Sequence, residues 1–217
     1  SSVIRIKIGT NAVSVVTGIE KITNPTTTGA KTIAISGTFG DTGNIVVTIL
    51  TDDQVAVSGT VAESMTFTLG ATSVALGTLS SSAVTSGSHT VTLATNAPSG
   101  LTLSYTGTTL TSGAFTITTM STAAASSIGT EQFGINAKDN VTPNVGLECS
   151  GTAPIAAAAT GYATVDSFKF VTGETIISSA AGINSTSCTL SYIANIAGAT
   201  EAGSYTTTLT YNATANF

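Results

Sequence analysis

The sequence predicts an all-β protein of the immunoglobulin-like or jelly-roll sandwich type. Short apolar runs rich in β-branched residues recur along the chain, with turn residues between them. Within several runs, apolar and polar side chains alternate with a period of two, as they do in half-buried strands. Helical patterns are almost absent, so the runs are expected to pack as sheets face to face.

The composition favours a folded chain and disfavours two classes of partner. Of 217 residues, 41% are hydrophobic and only 8% are charged, which is the opposite of a disordered segment. The net charge of −5 comes with no basic patch, so we expect no nucleic-acid partner. No apolar run reaches the length that spans a bilayer, so we expect no membrane insertion of the mature chain.

The N-terminal segment opens with a strictly alternating strand, residues 3–8. Ile4, Ile6 and Ile8 fall on one side of it, opposite Val3 and two basic residues. Four further short strands are predicted at 12–16, 31–36, 44–50 and 54–59. About five strands are fewer than the seven of a closed immunoglobulin-like sandwich. We therefore expect residues 1–61 to form a small, incomplete sandwich.

Residues 62–217 are expected to form a larger sandwich of about ten strands. These strands are predicted at 65–69, 73–79, 89–95, 101–105, 114–119, 131–136, 163–171, 175–179, 188–193 and 204–217. No charged or proline-rich linker separates the two segments, so we expect two sandwiches joined stiffly end to end.

The last fourteen residues are predicted to form one long strand. Tyr205, Leu209, Tyr211 and Phe217 share one face, and threonine and asparagine occupy the other. The apolar face is expected to help close the core.

Two cysteines, Cys149 and Cys188, lie close to predicted strands. A disulfide between them would close a loop of about 40 residues and add roughly 4 kcal/mol of stability. Two free buried thiols are the alternative. Neither cysteine has the spacing of a metal ligand.

Three stretches carry a resemblance, namely residues 37–43, 129–136 and 203–210. They resemble secreted β-sandwich surface proteins of small-genome bacteria. In general design the chain is also similar to pilin-like subunits of extracellular fibres, typified by the biofilm matrix protein TasA and by archaeal bundling pilins. The resemblance implies assembly by insertion of a terminal strand into the next subunit, and it transfers no catalytic or binding residue.

These observations predict a structural subunit of an extracellular filament or pilus at the cell surface. Identical subunits would join head to tail by donor-strand complementation. The preferred donor strand contains Val3, Ile4, Ile6 and Ile8, and the alternative donor is the terminal strand from Tyr205 to Phe217. The abundance of Thr, Ser and Gly with little Lys and Glu is typical of an exported protein whose signal peptide has been removed.

A monomeric adhesin or glycan-binding module is the second hypothesis, with the loop 138–143 as its binding surface and surface glycans as partners. Tyr105, Tyr162 and Tyr192 could offer rings to sugars, although half-buried strand tyrosines are the simpler interpretation. A threonine face on the terminal strand also suits ice binding, but one strand is not an array.

No catalytic constellation, cofactor site or metal site is predicted. His89 is the only histidine, and its neighbour Ser88 would point to the opposite face of a strand, so an exposed or capping role is expected. Asp52-Asp53 and Asp139-Asn140 could each supply oxygens to calcium, but they fit ordinary turns better. Three glycosylation motifs begin at Asn140, Asn184 and Asn212.

Overall fold

The computed structural model describes residues 7–8, 11–12, 26–36, 42–50 and 54–217. In this part of the chain the regular structure is all β, and every pair of strands is antiparallel. The chain divides into two units, Ser1–Thr60 and Val61–Phe217, next to the predicted boundary at residue 61. The predicted all-β sandwich class is confirmed.

The first unit contains one four-stranded sheet. Its strands are β1 (Lys7–Ile8), β2 (Asn11–Ala12), β3 (Gly29–Ser36) and β4 (Thr42–Ile49), in the order β2-β1-β3-β4. β3 and β4 pair along their full length, and β4 forms an edge of the sheet. The described residues of this unit include no second sheet, so the expected N-terminal sandwich stays a prediction.

The second unit contains thirteen strands, many of them only two residues long. They are β5 (Met65–Leu69), β6 (Thr85–Thr95), β7 (Leu101–Gly107), β8 (Thr111–Ser112), β9 (Phe115–Thr116), β10 (Gln132–Asn136), β11 (Asn140–Val141), β12 (Asn144–Val145), β13 (Ser150–Gly151), β14 (Ala157–Ala158), β15 (Thr175–Ser179), β16 (Ile183–Asn195) and β17 (Leu209–Ala215).

Two sheets of this unit enclose a common core. One has the order β10-β16-β6-β5, with β13 also on β16, and the other has the order β14-β15-β7-β17. Val91 and Leu190 from the first sheet are fully buried in one cluster with Leu103 and Ile177 from the second. The second unit is therefore a β-sandwich whose apolar faces meet in the middle.

β16 is buried on both faces over its C-terminal half, from Cys188 to Asn195. One face joins the main core through Leu190 and Tyr192. The other face places Ile193 against Met120 and Phe168 in a second, smaller cluster. This strand is the central element of the unit, and it continues well beyond the predicted 188–193.

Three predicted strands are wrong. Residues 54–59 form no strand, and Val55 and Val57 are about nine-tenths exposed, because the alternating pattern meets no partner among the described residues. Residues 73–79 also form no strand, although their apolar side chains pack on the core. Residues 163–171 are interrupted at Asp166, whose positive φ of 57° turns the chain.

The terminal strand is shorter than predicted. β17 covers Leu209–Ala215 rather than all of residues 204–217, although Thr206 makes an isolated bridge with Thr111. The predicted alternation is present over most of the segment, since residues at odd positions from 205 to 215 are half-buried and their even-numbered neighbours are exposed. Tyr205, Leu209 and Tyr211 pack against the core, as expected.

Candidate interface: open sheet edges and an apolar groove

The second unit carries a groove of about 960 Å³ that opens onto its core. One wall is the irregular segment 71–79, and the other is the segment 200–209, which leads into β17. The floor includes the buried side chains of Phe133 and Tyr192 from the first of the two sheets and of Leu110 from the segment after β7. We call this feature the core groove.

The wall formed by residues 71–79 has free backbone groups. Within the described residues, this segment makes no hydrogen bond from its backbone to another backbone group, whereas its neighbour Gly70 donates to the carbonyl of Thr90 at 2.8 Å. Val74, Leu76 and Leu79 nevertheless pack against the core. The wall is therefore an irregular apolar segment without a strand partner in the described structure, turned at Gly77 by a positive φ of 75°. Its unpaired backbone groups before Gly77 could accept an additional strand.

A chain of polar groups crosses the floor of the core groove. The Nδ1 atom of His89 lies 3.1 Å from the Thr90 carbonyl, which can only accept, so Nδ1 carries the proton. His89 Nε2 then accepts a hydrogen bond from the Tyr192 hydroxyl at 2.8 Å. Tyr211 donates in turn to the Tyr192 oxygen. The expected exposed or capping role of His89 is wrong, because its side chain is buried beneath the groove.

Burial determines the protonation states of the three hydrogen-bonded side chains His89, Tyr192 and Tyr211. It lowers the pKa of His89, partly offset by the bond to the Thr90 carbonyl, so the neutral ring is favoured. It raises the pKa of Tyr192 to about 12. It also raises the pKa of Tyr211, with the neighbouring Tyr192 acting in the same direction. The groove floor is therefore uncharged at neutral pH.

The mouth of the core groove is acidic. Of the described residues that line it, Glu201 alone is charged at neutral pH. Next to it, Thr200 donates a hydrogen bond of 2.6 Å to the Glu131 carboxylate. The two lysines of the second unit, Lys138 and Lys169, are both engaged in ion pairs elsewhere. A cation approaching this mouth would meet two carboxylates.

The sheet of the first unit leaves apolar side chains in water. Ile45, Val46 and Val47 follow one another in β4 and are 51%, 62% and 46% exposed. Since neighbouring residues of a strand point to opposite faces, both faces of this edge strand present apolar surface. The described residues of this unit provide no layer that covers either face.

The predicted donor strand lies largely outside the described residues. Val3, Ile4 and Ile6 are not among them, and Lys7 and Ile8 form β1, where Lys7 pairs with Ala34 of β3. The alternative donor is used within its own unit, since β17 pairs with β7 from Leu209 to Ala215. Its outer edge is the end of that sheet.

Cys149 and Cys188 form a disulfide with an S–S distance of 2.03 Å, as one of the two sequence interpretations predicts. Cys188 is fully buried in β16. The bond ties the irregular segment before β13 to the central strand of the unit.

The loop 138–143, proposed as an adhesin surface, is held from beneath by buried polar groups. Asn140 is 1% exposed, and its amide donates to Asn136 and to the Lys138 and Val145 carbonyls. The Asp166 carboxylate accepts from the Val141 amide at 2.7 Å. Asn140 is thus unavailable as a glycosylation acceptor or a calcium ligand.

The tyrosines considered as a sugar platform are buried. Tyr105 and Tyr162 are fully enclosed, with their hydroxyls 2.8 Å apart. Tyr162 donates to Glu174 at 2.9 Å, and Glu174 accepts from Lys169 at 2.7 Å. Burial acts to raise the pKa of Glu174, but these two hydrogen bonds hold it below its usual value. These rings stabilise the core and offer no face to a ligand.

The described residues do not form the geometry of the other kinds of site considered from the sequence. Among them, no three His, Cys, Asp or Glu side chains gather as metal ligands would. No helix of that part of the chain is long and apolar enough to cross a bilayer. The acidic pair at 52–53 lies outside the described residues. Asn184 donates its amide to the Ala153 carbonyl, and Asn212 is exposed on β17.

Sequence reasoning missed the core groove, because residues 73–79 carry the alternation of a strand. The signal available was Gly77 within that run, together with Gly70 before it, since glycine weakens a strand. Comparisons with protein-family models, with curated proteins and with solved structures find no significant match.

Proposed function

We propose that the protein is a structural subunit of an extracellular, pilus-like filament whose identical subunits join head to tail by exchange of a strand. The observation that carries the proposal is the sheet of the first unit, whose edge strand β4 has no further partner among the described residues and whose apolar side chains are exposed on both faces there. A small sheet gains stability when another layer or strand covers it.

The physical driving force is burial. Removing apolar surface from water contributes roughly 25 cal/mol per Å², so Ile45, Val46 and Val47 favour association. A strand given by one copy to the next makes a heterologous contact, because the giving and receiving surfaces differ. Such contacts do not close on themselves and therefore generate a fibre.

The chemistry of the chain supports an extracellular structural role. The disulfide between Cys149 and Cys188 suits an oxidising compartment. The polar groups buried in the second unit are mostly engaged with each other, as in the Tyr105–Tyr162–Glu174 chain. This arrangement stabilises the core of the second unit.

Filament assembly is tested with the full chain by electron microscopy and sedimentation. Deleting residues 1–10 removes the preferred donor strand and is expected to abolish filaments, whereas deleting only Ser1 and Ser2 should leave them intact. Replacing Ile4, Ile6 and Ile8 by serine should act like the longer deletion, because the apolar knobs are lost. Filaments of normal stability from the longer deletion would exclude this donor.

The second candidate, a monomeric adhesin or glycan-binding module, is favoured by one observation. The loop 138–143 is rigidly supported by Asn140 and Asp166, yet it presents Val141 at 73% exposure. Rigid loops with exposed side chains are common binding surfaces. A monomer whose size does not change with concentration would favour this function over the filament.

A further inference from the structure

The core groove has the volume and the lining expected of a site that accepts one additional strand. Its volume of about 960 Å³ is at the upper end of the range of ligand sites, about 300–1,000 Å³. Its floor includes the buried side chains of Phe133 and Tyr192. One wall, residues 71–79, is irregular, with a positive φ at Gly77, and its backbone makes no hydrogen bond to another backbone group in the described part of the chain. Side chains and backbone of an entering strand would both find partners.

We infer that the core groove of one copy receives residues 3–8 of a second copy. This inference rests on the proposed function and assigns the acceptor site to the second unit, whereas the sequence had pointed to the first. The exposed Ile45, Val46 and Val47 of the first unit are not covered by this contact and form a separate apolar surface. Ile4, Ile6 and Ile8 would face the groove floor, and the main chain would pair with residues 71–79.

The length and the pattern of the donor fit the groove. Six extended residues span about 20 Å, and the wall offers six residues, 71–76, before the positive φ at Gly77 interrupts it. The three isoleucines, spaced two residues apart, lie on one face of the donor strand, and Arg5 and Lys7 lie on the opposite face. An apolar floor with a polar rim suits a strand of this kind.

Charge identifies a second copy of this chain as the source of the strand. Residues 61–217 contain seven acidic residues and two lysines, whereas residues 1–10 contain Arg5, Lys7 and no acid. Both lysines of the second unit are already in ion pairs. The outward face of the donor would therefore bring two cations to the mouth where Glu201 and Glu131 lie.

Donation replaces existing pairing rather than adding to it. In the single chain, Lys7 and Ile8 pair with β2, and Lys7 pairs with Ala34 of β3. Moving the strand to another copy breaks these contacts and forms others in the core groove. Assembly is therefore expected to be slow at first and to depend strongly on concentration.

Cysteine trapping tests the assignment with full-length chains. An Arg5→Cys chain is mixed with an Ala75→Cys chain under oxidising conditions, since Arg5 would lie on the outward face of the donor and Ala75 is exposed on the groove wall between the core-packed Val74 and Leu76. The control mixes Arg5→Cys with Thr214→Cys, which is exposed on β17 outside the groove. We expect mass spectrometry to find the 5–75 disulfide at least tenfold more often than the 5–214 disulfide. Equal yields would overturn the inference.

Two further variants separate this inference from the filament proposal. Ala75→Trp should raise the concentration for half-maximal assembly at least tenfold, and Thr214→Trp should not. Glu201→Lys should slow assembly at low salt, with Lys7→Glu on the partner restoring the rate. Filaments that form normally with Ala75→Trp, and without 5–75 trapping, would overturn the acceptor site while leaving the filament intact. A wild-type chain that never assembles would overturn the filament itself.

Discussion

Replacing Tyr192 by phenylalanine tests the direction of the hydrogen bonds beneath the core groove. The ring, which stacks 5.7 Å from His89, is kept, and only the hydroxyl is lost. That hydroxyl donates to His89 and accepts from Tyr211. The substitution therefore leaves a buried acceptor on His89 and a half-buried donor on Tyr211 without their partners.

The expected cost follows from the burial of the two groups. A buried polar group that loses its partner costs about 1–3 kcal/mol, and a half-buried one costs less because water can reach it. We expect Tyr192→Phe to lower the free energy of unfolding by about 2–4 kcal/mol. Tyr211→Phe removes only the terminal donor, so about 0.5–1.5 kcal/mol is expected.

Urea unfolding followed by tyrosine fluorescence measures both values. The chain has no tryptophan, and its five tyrosines all lie in the second unit, so the signal reports that unit. With a slope of about 2 kcal/mol per molar urea, the middle of the usual range, Tyr192→Phe should shift the midpoint by about 1–2 M. A Tyr211→Phe variant as costly as Tyr192→Phe would refute the assigned direction.

Three further predictions concern the same unit. Because burial lowers the pKa of His89, its contribution to stability is present above the unfolded pKa near 6.5 and is lost as the pH falls through the folded pKa. Urea unfolding at pH 7.5 and pH 5 should show this loss of stability in the wild type and a smaller loss in His89→Gln. Equal losses in the two proteins would contradict the prediction. Replacing Cys149 and Cys188 by serine opens a loop with a sequence separation of 39 and should cost about 4 kcal/mol in the same assay, whereas an unchanged midpoint would contradict the loop-entropy argument. Tyr162→Phe removes the acceptor of the enclosed Tyr105 hydroxyl and should cost about 1–3 kcal/mol, and a neutral result would show that water replaces the lost group.

Strands with one buried face could be predicted from the sequence. In β7, Leu101, Leu103 and Tyr105 are fully buried and alternate with less buried residues, so the period of two is visible in the chain. β16 was predicted too short, because its second face is covered by Met120 and Phe168. Its buried Thr189 and Ser191 read as outward-facing polar positions until that cluster is known.

The candidate interface depends on tertiary relations that alternation does not encode. Val74 and Leu76 alternate as strand residues do, yet the segment gains its burial from side chains alone and has no ladder partner in the described structure. Whether such a run pairs within its own chain or with another copy depends on which edges remain free. The sequence predicts strand exchange, and this stays a prediction. The described residues contribute the edge strand β4 and the core groove, from which the proposals are argued.

Sedimentation velocity of the full-length wild-type chain, over a wide range of concentration, tests the central claim most directly. The account predicts that the monomer of 21.4 kDa gives way to a broad series of larger species as concentration rises, with fibres visible in the same samples. A single monomer boundary at every concentration would contradict it.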